Sequence, residues 1–188
     1  QYCPMGEGGQ RPSATWYVAQ SNYLEVLDGT QYLPMYEDRV LTFNGQRVMN
    51  SSIPSSIPDT ADYISKEGQE VIDRITNHIH LLIGNDNDTE IMLQWLAHNI
   101  QFPGRKILWA PVIQSRQGAG KSLMKYILLK CLAAPNVGVV LTTQVASTFN
   151  GWATNKSVNI LEELKLAGHN RFDTANSLKP MITDSVIQ

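Results

Sequence analysis

Residues 106–132 read KILWAPVIQSRQGAGKSLMKYILLKCL. An apolar run of strand length over 106–113 is followed by the turn-forming stretch SRQGAGKS, Ser115 to Ser122. An apolar run of helical spacing from Lys121 to Leu132 comes next. A glycine-bearing loop between a strand and a helix N-terminus is suited to hold an anion, because the first helical N–H groups have no partner within the helix. A phosphate loop also needs glycines where the backbone wraps phosphate, a lysine for the β and γ oxygens, and a hydroxyl for magnesium. Gly118, Gly120, Lys121 and Ser122 supply these, and Ala119 and Leu123 complete the backbone of the site. Ser115 stands where the pattern's first glycine is expected, which fits only if that residue does not need a positive φ. Gly-Lys-Ser alone is a common tripeptide, so the strand and helix around it decide the reading.

Beyond the loop, elements alternate. Strands are expected at Val137–Leu141 and Val158–Leu161, with a helix from about Gln144 to Trp152 between them. That order predicts a parallel α/β sheet. VNILEE ends the last of these strands on Glu162 and Glu163, 41 residues after Lys121. A nucleotide hydrolase needs one strand-end carboxylate for the magnesium shell and another to polarise the attacking water. Glu162 is assigned to the metal with Ser122, and Glu163 to the water. Lys121, Glu162 and Glu163 form the expected catalytic set.

Upstream of the loop, Val71, Ile72, Ile75, Ile79 and Leu82 recur at helical spacing, and Gly84-Asn85 closes that segment. A second helix, capped by Asp88 and ended at Pro103-Gly104, makes residues 60–105 a helical hairpin. Residues 1–59 have few helix signals. TWYVAQ, NYLEVL and RVLTFNG are β-type runs, Asp28-Gly29-Thr30 is a turn, and SSIPSSIPDT reads as a linker with a boundary near Asp59. The domains expected are therefore a β-rich lead-in (1–59), the hairpin (60–105) and a P-loop core (106–188).

Composition sets outer limits. With 43% hydrophobic and 17% charged residues and a net charge of −2, the chain is globular in type, and its charge does not advertise nucleic acid. No apolar stretch has the length of a membrane span and the N-terminus has no signal-peptide pattern, so a cytoplasmic protein without membrane contact is expected. Cys3 and Cys131 are expected as free thiols. His78, His80 and His98 read as helix-surface or packing residues without metal-ligand spacing, and Trp95, Trp109 and Trp152 as core.

The ordered series WLAHNIQFPGRKILWAPVIQ, QGAGKS, FNGWA, VNILEELKLAGHNR and SLKPMITD resembles the helicase domain of phage and plasmid primase-helicases. These are superfamily 3 DNA helicases of the AAA+ P-loop class. The resemblance covers about Ile83 to the end. It implies a hexameric homo-oligomer moving along single-stranded DNA with ATP and Mg2+ held between subunits. Gly118, Gly120, Lys121 and Ser122 then match Walker A, and Glu162 and Glu163 match Walker B. Lys165, His169, Arg171 and Lys179 fall where the family places a DNA-contacting hairpin. The family's sensor residue and arginine finger would lie past Gln188, and the sequence has no initiator methionine. A chain shortened at its C-terminus is expected on this resemblance, in the cytoplasm of a bacterial host if phage-encoded. The alternative is a shortened module that binds nucleotide or oligomerises without helicase activity.

Overall fold

The computed structural model describes residues 26–55, 57, 63–145, 151–162 and 171–184. Asn44-Gly45 decides the geometry of the first part. Both residues take positive φ, 49° and 78°, the combination that a tight hairpin turn requires and that Asn-Gly supplies at low cost. The turn joins β2 (Val40–Phe43) to β3 (Gln46–Asn50) as an antiparallel pair, and β1 (Gly29–Gln31) adds in parallel on the other edge of β3. Gly29 and Thr30, expected in a turn, are strand residues here. Asn50 is 1% exposed and ties the sheet to its flanking loop. Its amide donates to the carbonyls of Leu33 and Tyr36, and its Oδ1 accepts from the backbone N–H groups of Leu33 and Ser52 and from the Ser52 hydroxyl.

The helical hairpin forms as expected, with one change of cap. Helix α1 (Lys66–Ile83) starts at Ser65, whose hydroxyl accepts from the Gly68 N–H, and stops at Gly84 with φ 91°. Helix α2 (Asp86–Gln101) is capped by Asn85, not Asp88: the Asn85 Oδ1 accepts from the Asp88 N–H at 2.8 Å. Asp88 instead lies in the first turn, where its charge suits the helix dipole.

The third part begins with a departure from expectation. Residues 106–113 lie outside every strand of the described chain. A strand exists only with a partner, Pro111 has no N–H to donate, and Leu108, Trp109 and Val112 are left exposed, Val112 at 91%. Helix α3 (Ser122–Cys131) follows, then a 3-10 turn (Ala134–Asn136) and β4 (Val137–Leu141). Helix α4 (Thr142–Val145) follows β4, most of the helix expected from about Gln144 to Trp152 lies outside the described residues, and a 3-10 turn covers Gly151–Ala153. Strand β5 (Val158–Glu162) and helix α5 (Arg171–Thr183) complete the described chain. Strands β4 and β5 pair in parallel from Val137 opposite Val158 to Leu141 opposite Glu162. The chain is thus mixed α/β, but the described parallel sheet has two strands rather than the broader core expected.

One core joins hairpin and sheet. Ile79 of α1, Met92 and Leu96 of α2, Met124, Leu128 and Leu132 in and after α3, Val137 of β4 and Val158 of β5 form a single buried cluster. Each such side chain contributes ~1.5–3 kcal/mol by leaving water. Gly138 lies beneath the Asn159 side chain of β5, and any Cβ there would collide with it. The β-rich part docks on this core: Asn136 donates to the Ile53 carbonyl and accepts from the Ile53 N–H, and the hydroxyls of Tyr32 and Ser157 are 2.8 Å apart. The first residues of the serine-proline stretch therefore belong to a contact, while the boundary at Asp59 lies outside the described residues. Among the described residues, no helix is long and apolar enough to cross a membrane.

Candidate functional site

The loop between Ile113 and α3 is shaped by two glycines and by a lysine that folds back on a serine. Gly118 and Gly120 have φ of 80° and 90°, a region that side chains with a Cβ rarely enter. Ser115 has no positive φ, so the substitution of serine for the pattern's first glycine carries no backbone strain. The Ser115 side chain also takes part in the loop. Lys121 folds back across it, its Nζ donating to the Ser115 hydroxyl at 2.8 Å and to the carbonyls of Ser115 and Arg116, each at 3.2 Å. One ammonium, with its three donors, ties the end of the loop back to its start.

Lys121 also serves as the N-cap of α3 in helical geometry, and no side chain caps the helix. The Leu123 N–H turns back to the Gly120 carbonyl at 3.0 Å and the Met124 N–H to that of Lys121 at 3.3 Å. Gly118, Ala119 and Ser122 are exposed, whereas Gly120, Lys121 and Leu123 are half-buried. A glycine-bearing loop with a lysine and a helix N-terminus beside it can accept an anion of phosphate type.

Glu162 stands at the end of β5, half-buried, and pairs with Lys125 of α3, Nζ to Oε1 2.5 Å. The hydrogen bond from Lys125 to Glu162 raises the lysine's pKa above its ordinary value, partly offset by desolvation and aided by the Glu162 charge. Sequence reasoning missed Lys125. The signal available was its position, one helical turn past Ser122 on the face that meets β5.

The other expected residues separate into two groups. Glu163, Lys165 and His169 lie outside the described residues. Arg171 opens α5 without a described side chain, and Lys179 is exposed on the same helix. Among the described residues, no three His, Cys, Asp or Glu side chains are grouped to hold a metal ion. A magnesium ion on Ser122 and Glu162 would therefore take the rest of its shell from phosphate oxygens and water, which is usual for that ion.

Packing places two aromatic residues. His78, read as a partly exposed helix residue, is half-buried, with its Nε2 3.3 Å from the Gly120 carbonyl. No local spacing could show this contact, which links residues 42 positions apart. Trp109, read as core, is 47% exposed, whereas Trp95 packs against the core cluster. Burial raises the pKa of the half-buried Cys131 thiol.

Residues 113–188 match a protein-family model described as Family of unknown function (DUF5906). The matched region contains the loop, α3, both parallel strands and α5. No curated protein and no solved structure matches the chain.

Proposed function

We propose that this chain is the ATP-binding core of a replicative superfamily 3 DNA helicase, with an AAA+-like P-loop fold. It would couple ATP hydrolysis to movement along single-stranded DNA as a homo-oligomeric ring. The observation that carries the reading is the Lys121 ammonium lying across a loop with two positive-φ glycines, directly before a helix with no side-chain cap. The helicase-like order of the sequence motifs supports the rest.

On this reading the Lys121 ammonium leaves the carbonyls of Ser115 and Arg116 for the β and γ oxygens of ATP. The backbone N–H groups of Gly118, Gly120, Lys121 and Ser122 cradle the phosphates, while that of Leu123 stays on the Gly120 carbonyl. Ser122 would offer its hydroxyl to magnesium and Glu162 its carboxylate, and Glu163 would orient the attacking water. The metal supplies charge neutralisation at the transferred phosphoryl group. Lys179, with Lys165, His169 and Arg171, supplies cationic contact to the DNA backbone.

A second reading is favoured by the ion pair between Lys125 and Glu162. A carboxylate committed to a lysine suits a module that binds nucleotide or oligomerises without turnover. Phosphate release with and without single-stranded DNA separates the two: DNA-stimulated hydrolysis supports the helicase reading. Nucleotide binding without turnover supports the binding module.

A further inference from the structure

The imidazole of His78 lies against Gly120 of the loop. Its Nε2 lies 3.3 Å from the Gly120 carbonyl, and a Cβ on Gly120 would sit 2.5 Å from the ring atoms Cε1 and Nε2. Gly120 is thus constrained twice, by its φ of 90° and by the ring against it. Ile79, the next residue on α1, is 0% exposed within the core, and this fixes the rotation of the helix that carries His78.

A carbonyl oxygen can only accept, so His78 is the donor and its Nε2 carries the proton. The same carbonyl accepts from the Leu123 N–H at 3.0 Å, so its two lone pairs have two donors on different elements. The peptide unit that begins at the Gly120 carbonyl ends at the Lys121 N–H. In a trans planar peptide these two groups point in opposite directions. Holding the carbonyl toward His78 and α3 therefore aims the Lys121 N–H the other way, and polarisation by two donors makes that N–H a stronger donor.

We propose that His78 is a positioning residue of the phosphate site: through Gly120 it aims the Lys121 amide at the bound anion and so couples the helical hairpin to the loop. This rests on the nucleotide reading above and gives α1 a part in the site. The ring touches no phosphate itself. Its effect is read through the strength of triphosphate binding.

The test compares magnesium-ATP binding by the wild type, His78→Leu, which fills the space without a donor, and His78→Gln, which can present an amide N–H. The expected result is about tenfold weaker binding in His78→Leu, the scale of one lost hydrogen bond, with binding restored to within about twofold in His78→Gln. Equal weakening in both variants, or none in either, overturns the role. A measurement on the wild type alone provides an independent check. Nitrogen NMR of the His78 ring should show the proton on Nε2 and a shift of the Lys121 amide on adding magnesium-ATP, and a neutral ring protonated only on Nδ1 overturns the proposal. If the wild type binds no magnesium-ATP, the nucleotide reading falls and takes this one with it. Binding that Lys121→Ala abolishes but both His78 variants retain in full removes this inference alone.

Discussion

Lys125 and Glu162 form an ion pair between the first turns of α3 and the end of β5, Nζ to Oε1 2.5 Å, with both side chains partly shielded from water. It fixes the helix that follows the Ser115–Ser122 loop to the strand that carries Glu162. The lysine's pKa is raised in the folded chain. Its contribution to stability is therefore full below the ordinary lysine range and is lost as pH rises through the raised folded value. Denaturation midpoints from neutral to strongly alkaline pH should fall more steeply for the wild type than for Lys125→Met, and parallel curves would show that the pair contributes nothing.

Asn50 serves five hydrogen bonds from a fully buried position. Asn50→Leu removes both sides of the amide and leaves the N–H groups of Leu33 and Ser52 without that partner. A loss of about 2–4 kcal/mol is expected, the scale of several orphaned buried groups. Urea unfolding checks this, and a loss below about 0.5 kcal/mol would mean that the loop is held by other contacts.

Asn136 joins the β-rich part to the core through Ile53 and also donates to the Leu132 carbonyl at 2.6 Å, closing the end of α3. Asn136→Ala should cost about 1–3 kcal/mol. The variant should also speed hydrogen exchange at the Ile53 amide more than at the amides of α2. Uniform change across both would mean that the contact is not local.

The parts legible in sequence were those set by local rules. Ile75, Ile79 and Leu82 marked α1, Gly84 its end, and VGVVL the strand β4, because periodicity and capping act within a few residues. RVLTFNG reads as a strand and contains β2, and its closing Asn44-Gly45 is the local signal for the hairpin turn. The run KILWAPVI misled because an apolar segment does not reveal whether a neighbouring strand exists, and Pro111 was the available warning. The loop geometry at Gly118 and Gly120 was legible because glycines so spaced before a helix suit positive φ, which both take. His78 and Lys125 were not, since each meets the site through packing between elements far apart in sequence.

The central claim is that the Lys121 loop holds the phosphates of ATP. Its most direct test is the affinity of the 188-residue chain for magnesium-ATP, beside Lys121→Ala, by calorimetric titration. Saturable binding by the wild type is expected, with a loss of at least about a hundredfold in the variant, because a charged hydrogen-bond donor is removed from an anion. Equal affinity in the two proteins, or no binding by the wild type, would contradict it.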